Sequence, residues 1–385
     1  MGRRQRAVEN LVTERGDSAL ESLYGGVYRG ARVLVTGHTG FKGSWLCEWL
    51  LRLGAEVAGF SLYIPTQPSN FEVLGLPARL QDVRGDVRDL AALKEAFAQF
   101  RPQMAFHLAA QALVRTAYED PKTTFDTNLG GTVNFIEAVR AAPGVHTAVI
   151  ITSDKCYENV ESEYGYRETD RLGGKDPYSA SKACAEIAFS AYWRSLFANG
   201  PQRLATTRAG NVIGGGDWAR DRIVPDCVRA WSGGDAAVIR SPDSTRPWQH
   251  VLEPLSGYLW LGARLKQNGG GLAGEAFNFG PGPEVTQSVS QLVAEMTKTW
   301  TGHAWRTNPA ATGAQAEAGL LKLACDKAWA RLGWKATLTF AETVAMTAEW
   351  YRKYHAGNAD MNLYALEQIA AYERLARERG APWAA

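Results

Sequence analysis

Between Ala31 and Gly210 the chain alternates short apolar runs with longer amphipathic stretches. The runs ARVLVT (31–36), AEVAGFSL (55–62), LQDVRGD (80–86), QMAFHLAA (103–110), HTAVIITS (146–153) and RLATTRAG (203–210) have the length of strands. Apolar residues return every three or four positions in four other segments, which therefore read as helices. These are FKGSWLCEWLLRLG (41–54), RDLAALKEAFAQF (88–100), the stretch around TNLGGTVNFIEAVRA (127–141) and YSASKACAEIAFSAYWRSLF (178–197). Strands alternating with helices require right-handed crossovers, so the expected class is α/β with a doubly wound parallel sheet.

Past Gly210 the rhythm breaks, with Gly, Trp and Pro interrupting shorter elements. A smaller C-terminal lobe is expected there, interleaved with late strands of the main sheet. GGDAAV and KQNGGGLAGE read as turns or loops, and Met361 to Arg379 as a charged helix, either solvated or packed on a partner. The first thirty residues, charged and ending in GGVYRG, read as a frayed or weakly docked extension. The expected division is an extension over 1–30, a cofactor domain over 31–210 and a mainly substrate-binding lobe over 211–385.

Composition narrows the class without naming a function. A chain of 385 residues, 45% hydrophobic and 21% charged, is an ordinary globular protein. Its net charge of +2 offers no general attraction to nucleic acid or an anionic membrane, so neither is expected as a partner. The five cysteines, Cys47, Cys156, Cys184, Cys227 and Cys325, are scattered and never form CxxC, which fits a reducing compartment and no metal site. No apolar run approaches the ~18 residues of a membrane span, and a cytoplasmic location is expected.

Chemistry enters at the first strand-to-helix junction, where VLVTGHTGFKG sets Gly37, Gly40 and Gly43 as GxxGxxG. Glycines there permit a tight turn and close backbone approach, while the helix start offers unpaired amides to a pyrophosphate. This is a Rossmann dinucleotide site by its context. The acid that usually clasps the adenosine ribose is missing after the second strand, where Ser61 and Leu62 stand, and no arginine follows to hold a 2′-phosphate. NAD is the expected cofactor. Asp86 is placed either to meet the adenine or to neighbour a helix cap.

A second polar cluster ends the strand HTAVIITS, where Ser153, Asp154 and Lys155 stand side by side. In a parallel sheet such strand ends line the ligand crevice, although a solvated loop is the plain alternative. Tyr178 and Lys182 of YSASK lie four residues apart and so share one helix face. A lysine one turn from a tyrosine lowers the phenol's pKa and reaches a nicotinamide ribose.

GHTGFKG, FHLAAQ, TSDKCYEN, GGKDPYSASKACAE, RAGNVIGGGDW and RPWQHVLEPLSGYLW together resemble the extended short-chain dehydrogenase/reductase superfamily. Within it they are most similar to the CDP-glucose 4,6-dehydratases. The resemblance is dense from Ala31 to Gly282 and looser through LACDKAWARLGWKATLTFAETVAMTAEWY. It implies a hydro-lyase with tightly held NAD, acting on a nucleotide sugar and working as a homodimer or higher homo-oligomer. Tyr178 would take the proton of the carbon 4 hydroxyl, Ser153 would hold that oxygen, and Asp154 would protonate the departing hydroxyl of carbon 6. Lys155 stands where related dTDP-glucose dehydratases carry Glu, and is either the carbon 5 base or a structural partner of Asp154. Another nucleotide-sugar dehydratase or a 4-epimerase on the same scaffold is the alternative, and a non-catalytic dinucleotide-binding protein a more distant one.

The resemblance also distributes the binding residues. Gly37, Thr39, Gly40, Phe41, Lys42, Gly43, Asp86, Val87, Leu108, Ala109, Ala110, Gln111 and Thr152, with Tyr178 and Lys182, would line the cofactor. Asn211, Arg222, Arg246, His250 and Arg208 would face the substrate's nucleotide, since arginine forks match diphosphate oxygens. Arg222 could instead pair with Asp221 or Asp226 at the surface. Asn128 is expected to steady the active-site strand, and His107 to be a hydrogen-bonded core histidine.

Overall fold

Val33, Leu34 and Val35 give the central strand β1 (Arg32–Thr36) two apolar faces, as a strand covered on both sides by helices requires. The computed structural model describes residues 20, 22–267, 269–282, 284–300, 304–307 and 320–385. In it β1 is followed by α1 (Phe41–Arg52), β2 (Glu56–Ser61), β3 (Gln81–Arg84), α2 (Leu90–Phe100) and β4 (Met104–His107). Next come α3 (Gly131–Ala141), β5 (Thr147–Ile151), α4 (Pro177–Tyr192) and β6 (Arg203–Arg208). The C-terminal part adds α5 (Ile223–Ser232), α6 (Leu252–Gln267), β7 (Ala276–Asn278), α7 (Phe340–Ala356) and α8 (Met361–Glu378).

The seven strands form one sheet in the order β7-β6-β5-β4-β1-β2-β3, every pair parallel. The expected doubly wound sheet is present, and β7, from beyond Gly210, pairs with β6 as a late strand. Alternation along β1 sends Val33 and Val35 into one core with Trp45, Trp49 and Leu259, and Leu34 into the other with Phe97, Phe135 and Phe189. Strand order reverses between β1 and β4, so their carboxyl ends open a crevice on one edge of the sheet.

Two expectations about the ends of the chain change. Residues 1–19 of the supposed extension lie outside the described residues. Leu23, Tyr24 and Tyr28, however, are buried in the main core, and Tyr28 donates its hydroxyl hydrogen to the Leu259 carbonyl at 2.6 Å. Tyr24 stacks on Trp383 at 5.1 Å between centroids, so this stretch is docked, by aromatic burial that charge patterning does not reveal. Helix α8 is packed within the chain rather than solvated. Its Glu373 takes hydrogen bonds from the Trp49 indole (2.9 Å) and the Arg52 guanidinium (2.8 Å) of α1.

Candidate active site

The glycine turn closes where only glycine fits. Gly37 has φ +76°, and a Cβ there would lie 2.6 Å from the Ala109 amide nitrogen. A Cβ on Gly43 would lie 2.1 Å from the Gly37 carbonyl oxygen, so α1 can start against the turn only because it is absent. No side chain caps α1 at Gly40, which leaves the first-turn amides of Phe41, Lys42 and Gly43 for an anion. These residues fit the pyrophosphate of a dinucleotide. Leu108, Ala109, Ala110 and Gln111, all half-buried, run past the same turn from the end of β4.

Around this turn, polar groups are matched to one another. His38 is buried between the Ser61 hydroxyl (2.9 Å) and the Asp82 carboxylate (2.9 Å), so the hydroxyl ending β2 is shared with the turn itself. The Thr39 hydroxyl donates to the Tyr63 carbonyl at 2.8 Å. Val87 is buried, while the Asp86 carboxylate accepts the Arg88 amide and guanidinium, which hold it below its ordinary range. Asp89 caps α2 and donates its amide to the Asp86 carbonyl at 2.9 Å, so Asp86 neighbours the cap. His107 is the expected core histidine, bonded to the Thr36 hydroxyl at 2.8 Å and stacked on Phe135.

At the end of β5 the chain turns sharply and buries its acid. Ser153 donates to the Asp154 carboxylate at 3.0 Å and accepts the Lys155 amide at 3.2 Å, closing a short turn over Asp154–Cys156. Ser153 is 5% exposed and Asp154 4%. A Cβ on Gly210 would lie 1.8 Å from Asp154 Oδ2, so the acid occupies space that a side chain there would fill. Asp176 caps α4 by accepting the Ser179 amide at 3.0 Å, and Pro177 follows in the first turn, where its missing N–H costs nothing. That cap sets Tyr178 one turn before Lys182 and turns its hydroxyl toward Ser153 and Asp154.

Burial and neighbouring charges both act on Tyr178. Burial pushes its hydroxyl up to about 12, opposed by the Ser153 hydrogen bond and by Arg222. Lys182 is buried one helical turn further along α4. Its ammonium approaches the Ile151 carbonyl at 3.5 Å, and burial lowers its pKa to about 8. Lys155 is exposed, with Nζ 6.0 Å from the Tyr178 ring centroid. Lys42 lies 5.9 Å from the Tyr258 ring, and burial and the nearby Arg222 lower its pKa to about 8. It therefore reaches the reaction side of the turn as well as the cofactor side.

The substrate-facing set divides. Arg222 pairs with Asp217 at 2.7 Å, not with Asp221 or Asp226, and its charge bears on Tyr178 and Lys42. Arg246 is half-buried in a two-residue strand paired with Gln287–Ser288, and Asn211 is held at φ +50°, its carbonyl accepting the Gln249 amide. Two expectations fail. Arg208 points into the protein, only 4% of its side chain exposed, and spends its guanidinium on Glu186 (2.9 Å) and the Tyr157 hydroxyl (2.7 Å). His250 is fully buried, accepts the Leu252 amide and lies edge-on to Trp45, a core position. Thr152 likewise donates its hydroxyl hydrogen inward, to Glu186 at 2.5 Å.

Sequence reasoning passed over two residues that organise this edge. Asn128 joins the Gln111 backbone (2.8 and 3.1 Å) to the Ser181 hydroxyl (2.9 Å), and so steadies α4 as well as the strand end. Ser181 carried no signal, whereas Glu186 did: it stands four residues after Lys182 and eight after Tyr178, on the same face of the helix.

Comparison with known proteins agrees with this geometry. Residues 34–347 match the family model described as GDP-mannose 4,6 dehydratase. The chain is 45% identical to the CDP-glucose 4,6-dehydratase of Salmonella typhimurium, over 90% of this chain and 97% of that protein. Its fold matches a UDP-glucose 4-epimerase of Thermus thermophilus in complex with NAD (TM-score 0.70, 28% identity, 83% of this chain and 99% of that one). It also matches a dTDP-glucose 4,6-dehydratase of Streptomyces venezuelae with NAD bound (TM-score 0.70, 24% identity, 86% and 99%). With a relative this similar along nearly its whole length, and a family model spanning most of the fold, the chain belongs to the GDP-mannose 4,6 dehydratase family of extended short-chain dehydrogenases/reductases.

Proposed function

We propose that this chain is a CDP-glucose 4,6-dehydratase that uses NAD and yields CDP-4-keto-6-deoxy-D-glucose. The observation that carries the reading is the buried Ser153–Asp154 pair set against Tyr178, an acid and a hydroxyl beside the tyrosine that accepts the carbon 4 proton. An epimerase reduces the carbon 4 ketone on its other face and has no step that needs such an acid. The 45% identical relative supplies the choice of cytidine nucleotide.

Ser153 holds the carbon 4 oxygen and Tyr178 accepts its proton. The glycine turn with Val87 and residues 108–111 would hold NAD, which would supply reversible hydride acceptance, so that oxidation at carbon 4 and reduction at carbon 6 cancel. The carbon 4 ketone acidifies the proton at carbon 5, which passes to Lys155. Asp154 delivers its own proton to the carbon 6 oxygen, which leaves as water. As carbon 6 is then reduced, Lys155 returns a proton, exchangeable with solvent, to carbon 5, and the proton taken up by Tyr178 is restored to Asp154 through solvent. An ordinary lysine titrates near 10.4 and is charged at neutral pH. Since Lys155 is exposed, the desolvation that frees its electron pair has to come from the sugar covering it. Arg222, Arg246 and Asn211 lie on the segments that receive the nucleotide, residues 31–210 serving mainly the cofactor and 211–385 mainly the substrate.

The enzyme works in the cytoplasm as a homodimer built on α3 and α4, whose outer side leaves Ile187 and the nearby Leu196 exposed. Incubation with CDP-, dTDP-, UDP- and GDP-glucose in deuterium oxide tests the reading. A 4-keto-6-deoxy product from CDP-glucose, deuterated at carbon 5, is expected, and Lys155→Ala should lose both product and label. A galactose epimer, or product from another nucleotide alone, would replace the reading; undiminished label in Lys155→Ala would remove Lys155 as the base.

A further inference from the structure

The two halves of the reaction use residues from different elements: Tyr178 and Lys182 on α4, Ser153, Asp154 and Lys155 after β5. One side chain touches both. Glu186, on the same face of α4, accepts Thr152 Oγ1 at 2.5 Å through Oε1, and Thr206 Oγ1 (2.8 Å) and Arg208 Nη2 (2.9 Å) through Oε2. Thr152 immediately precedes the Ser-Asp-Lys run. Arg208 carries the contact further, donating to the Tyr157 hydroxyl at 2.7 Å with its guanidinium 4.8 Å from that ring, just past the run. Two residues beyond Arg208 lies Gly210, against which the Asp154 carboxylate rests.

Both side chains of the Glu186–Arg208 pair are almost wholly buried, at 3% and 4% exposure. A buried ion pair is a weak source of stability, because desolvation offsets much of the attraction. What it provides is orientation: a carboxylate with three fixed donors cannot rotate, and the donors lie on β6 and immediately after β5, where the Ser-Asp-Lys run begins. We propose that Glu186 is a positioning residue, clamped between α4 and the ends of β5 and β6, that fixes Ser153 and Asp154 relative to Tyr178 and Lys182. Oxidation at carbon 4 and elimination across carbons 5 and 6 then proceed in a single alignment of the sugar. This rests on the dehydratase reading for its chemistry, though the clamp itself does not.

Thr152→Val cuts the link to the acid while leaving Glu186 and Arg208 paired, so it avoids the unpaired buried charge that Glu186→Gln would create. In Thr152→Val, kcat with CDP-glucose should fall about 10- to 100-fold with KM unchanged, the size expected of a small misplacement. The near-ultraviolet absorbance of reduced nicotinamide should build up during turnover, because elimination lags behind oxidation. Amides of residues 148–158 should exchange faster with deuterium, and Thr152→Ser should restore all three readings. Wild-type kcat in Thr152→Val, or a fall in kcat with no build-up of reduced cofactor, would overturn the proposal. Should the wild type leave CDP-glucose untouched, the dehydratase reading fails, and exchange over 148–158 decides the clamp: faster in Thr152→Val alone upholds it, and unchanged overturns it.

Discussion

At the carboxyl ends of β5 and β6 the buried Glu186 meets a fixed cation, whereas in the C-terminal buttress the equally buried Glu253 meets backbone amides and a phenol. Burial opposes ionisation of Glu186, but Arg208's charge and the hydrogen bonds from Arg208, Thr152 and Thr206 outweigh it and hold the pKa below the ordinary range. Glu253 accepts the Thr337 amide at 2.9 Å, the Leu338 amide at 2.5 Å and the Tyr372 hydroxyl at 2.8 Å. There burial prevails and raises the pKa to about 7. The difference teaches that hydrogen bonds satisfy a buried carboxylate yet leave its pKa raised, while a guanidinium paired directly with it also brings the pKa down. The site region is held by a buried charge pair that fixes geometry, and the buttress mainly by aromatic area that holds stability, with the Arg52–Glu373 pair at its edge.

The buttress gathers Tyr24, Trp49, Tyr372 and Trp383 from four distant segments. Trp383 stacks on Tyr24 at 5.1 Å and on Tyr372 at 5.7 Å, and lies edge-on to Trp49 at 5.9 Å. Trp383→Ala should therefore cost about 3–5 kcal/mol of stability, the range for truncating a large core aromatic. Denaturant unfolding measures that loss, and turnover per folded molecule should stay at the wild-type value. A collapse of turnover in the folded variant would break the division between the two regions.

Gly210→Ala is the reciprocal change. A methyl 1.8 Å from Asp154 Oδ2 must displace the acid, so kcat should fall about 100-fold. A melting temperature little changed alongside that loss would sharpen the contrast. An active Gly210→Ala enzyme would show that the position of Asp154 is not critical.

The smallest effect separates the carboxylates by pH. Because the folded pKa of Glu253 stands above the unfolded value of 4.5, its contribution is fully present below about 4.5 and is lost as pH rises through about 7. Relative to Glu253→Gln, which does not titrate, the wild type should lose stability on the order of 2 kcal/mol across that window. Unfolding curves of both proteins at pH 4.5, 6 and 7.5 measure the difference. A difference independent of pH would mean that Glu253 is charged throughout, like Glu186.

Much of the fold was legible because its signals are local. Alternation in ARVLVT and HTAVIITS specifies strands with two apolar faces, and the glycine triplet has one mechanical use at a strand-to-helix turn. Tyr178 and Lys182 were legible because their spacing alone puts them on one face of α4. Arg208 was misread, although it alternates with Leu204 and Thr206 along β6, and Leu204 packs in the same core as Phe189 of α4. Its side chain thus follows that face toward Glu186. Pattern alone does not say whether a charge at a strand's carboxyl end turns to a ligand or to a neighbouring helix.

By itself, then, the amino-acid order determined the wound sheet, the dinucleotide turn, the tyrosine–lysine pair and a polar run at the end of β5. Each depends on residues within about two helical turns of one another, where the backbone's own period dictates who shares a face. Only the tertiary structure decided that Arg208 and His250 turn inward, that Lys155 is exposed, and that Tyr24 docks on Trp383 across nearly the whole chain. Those outcomes depend on which distant surface each side chain meets, and periodicity records that a face is apolar or polar, never which partner completes it.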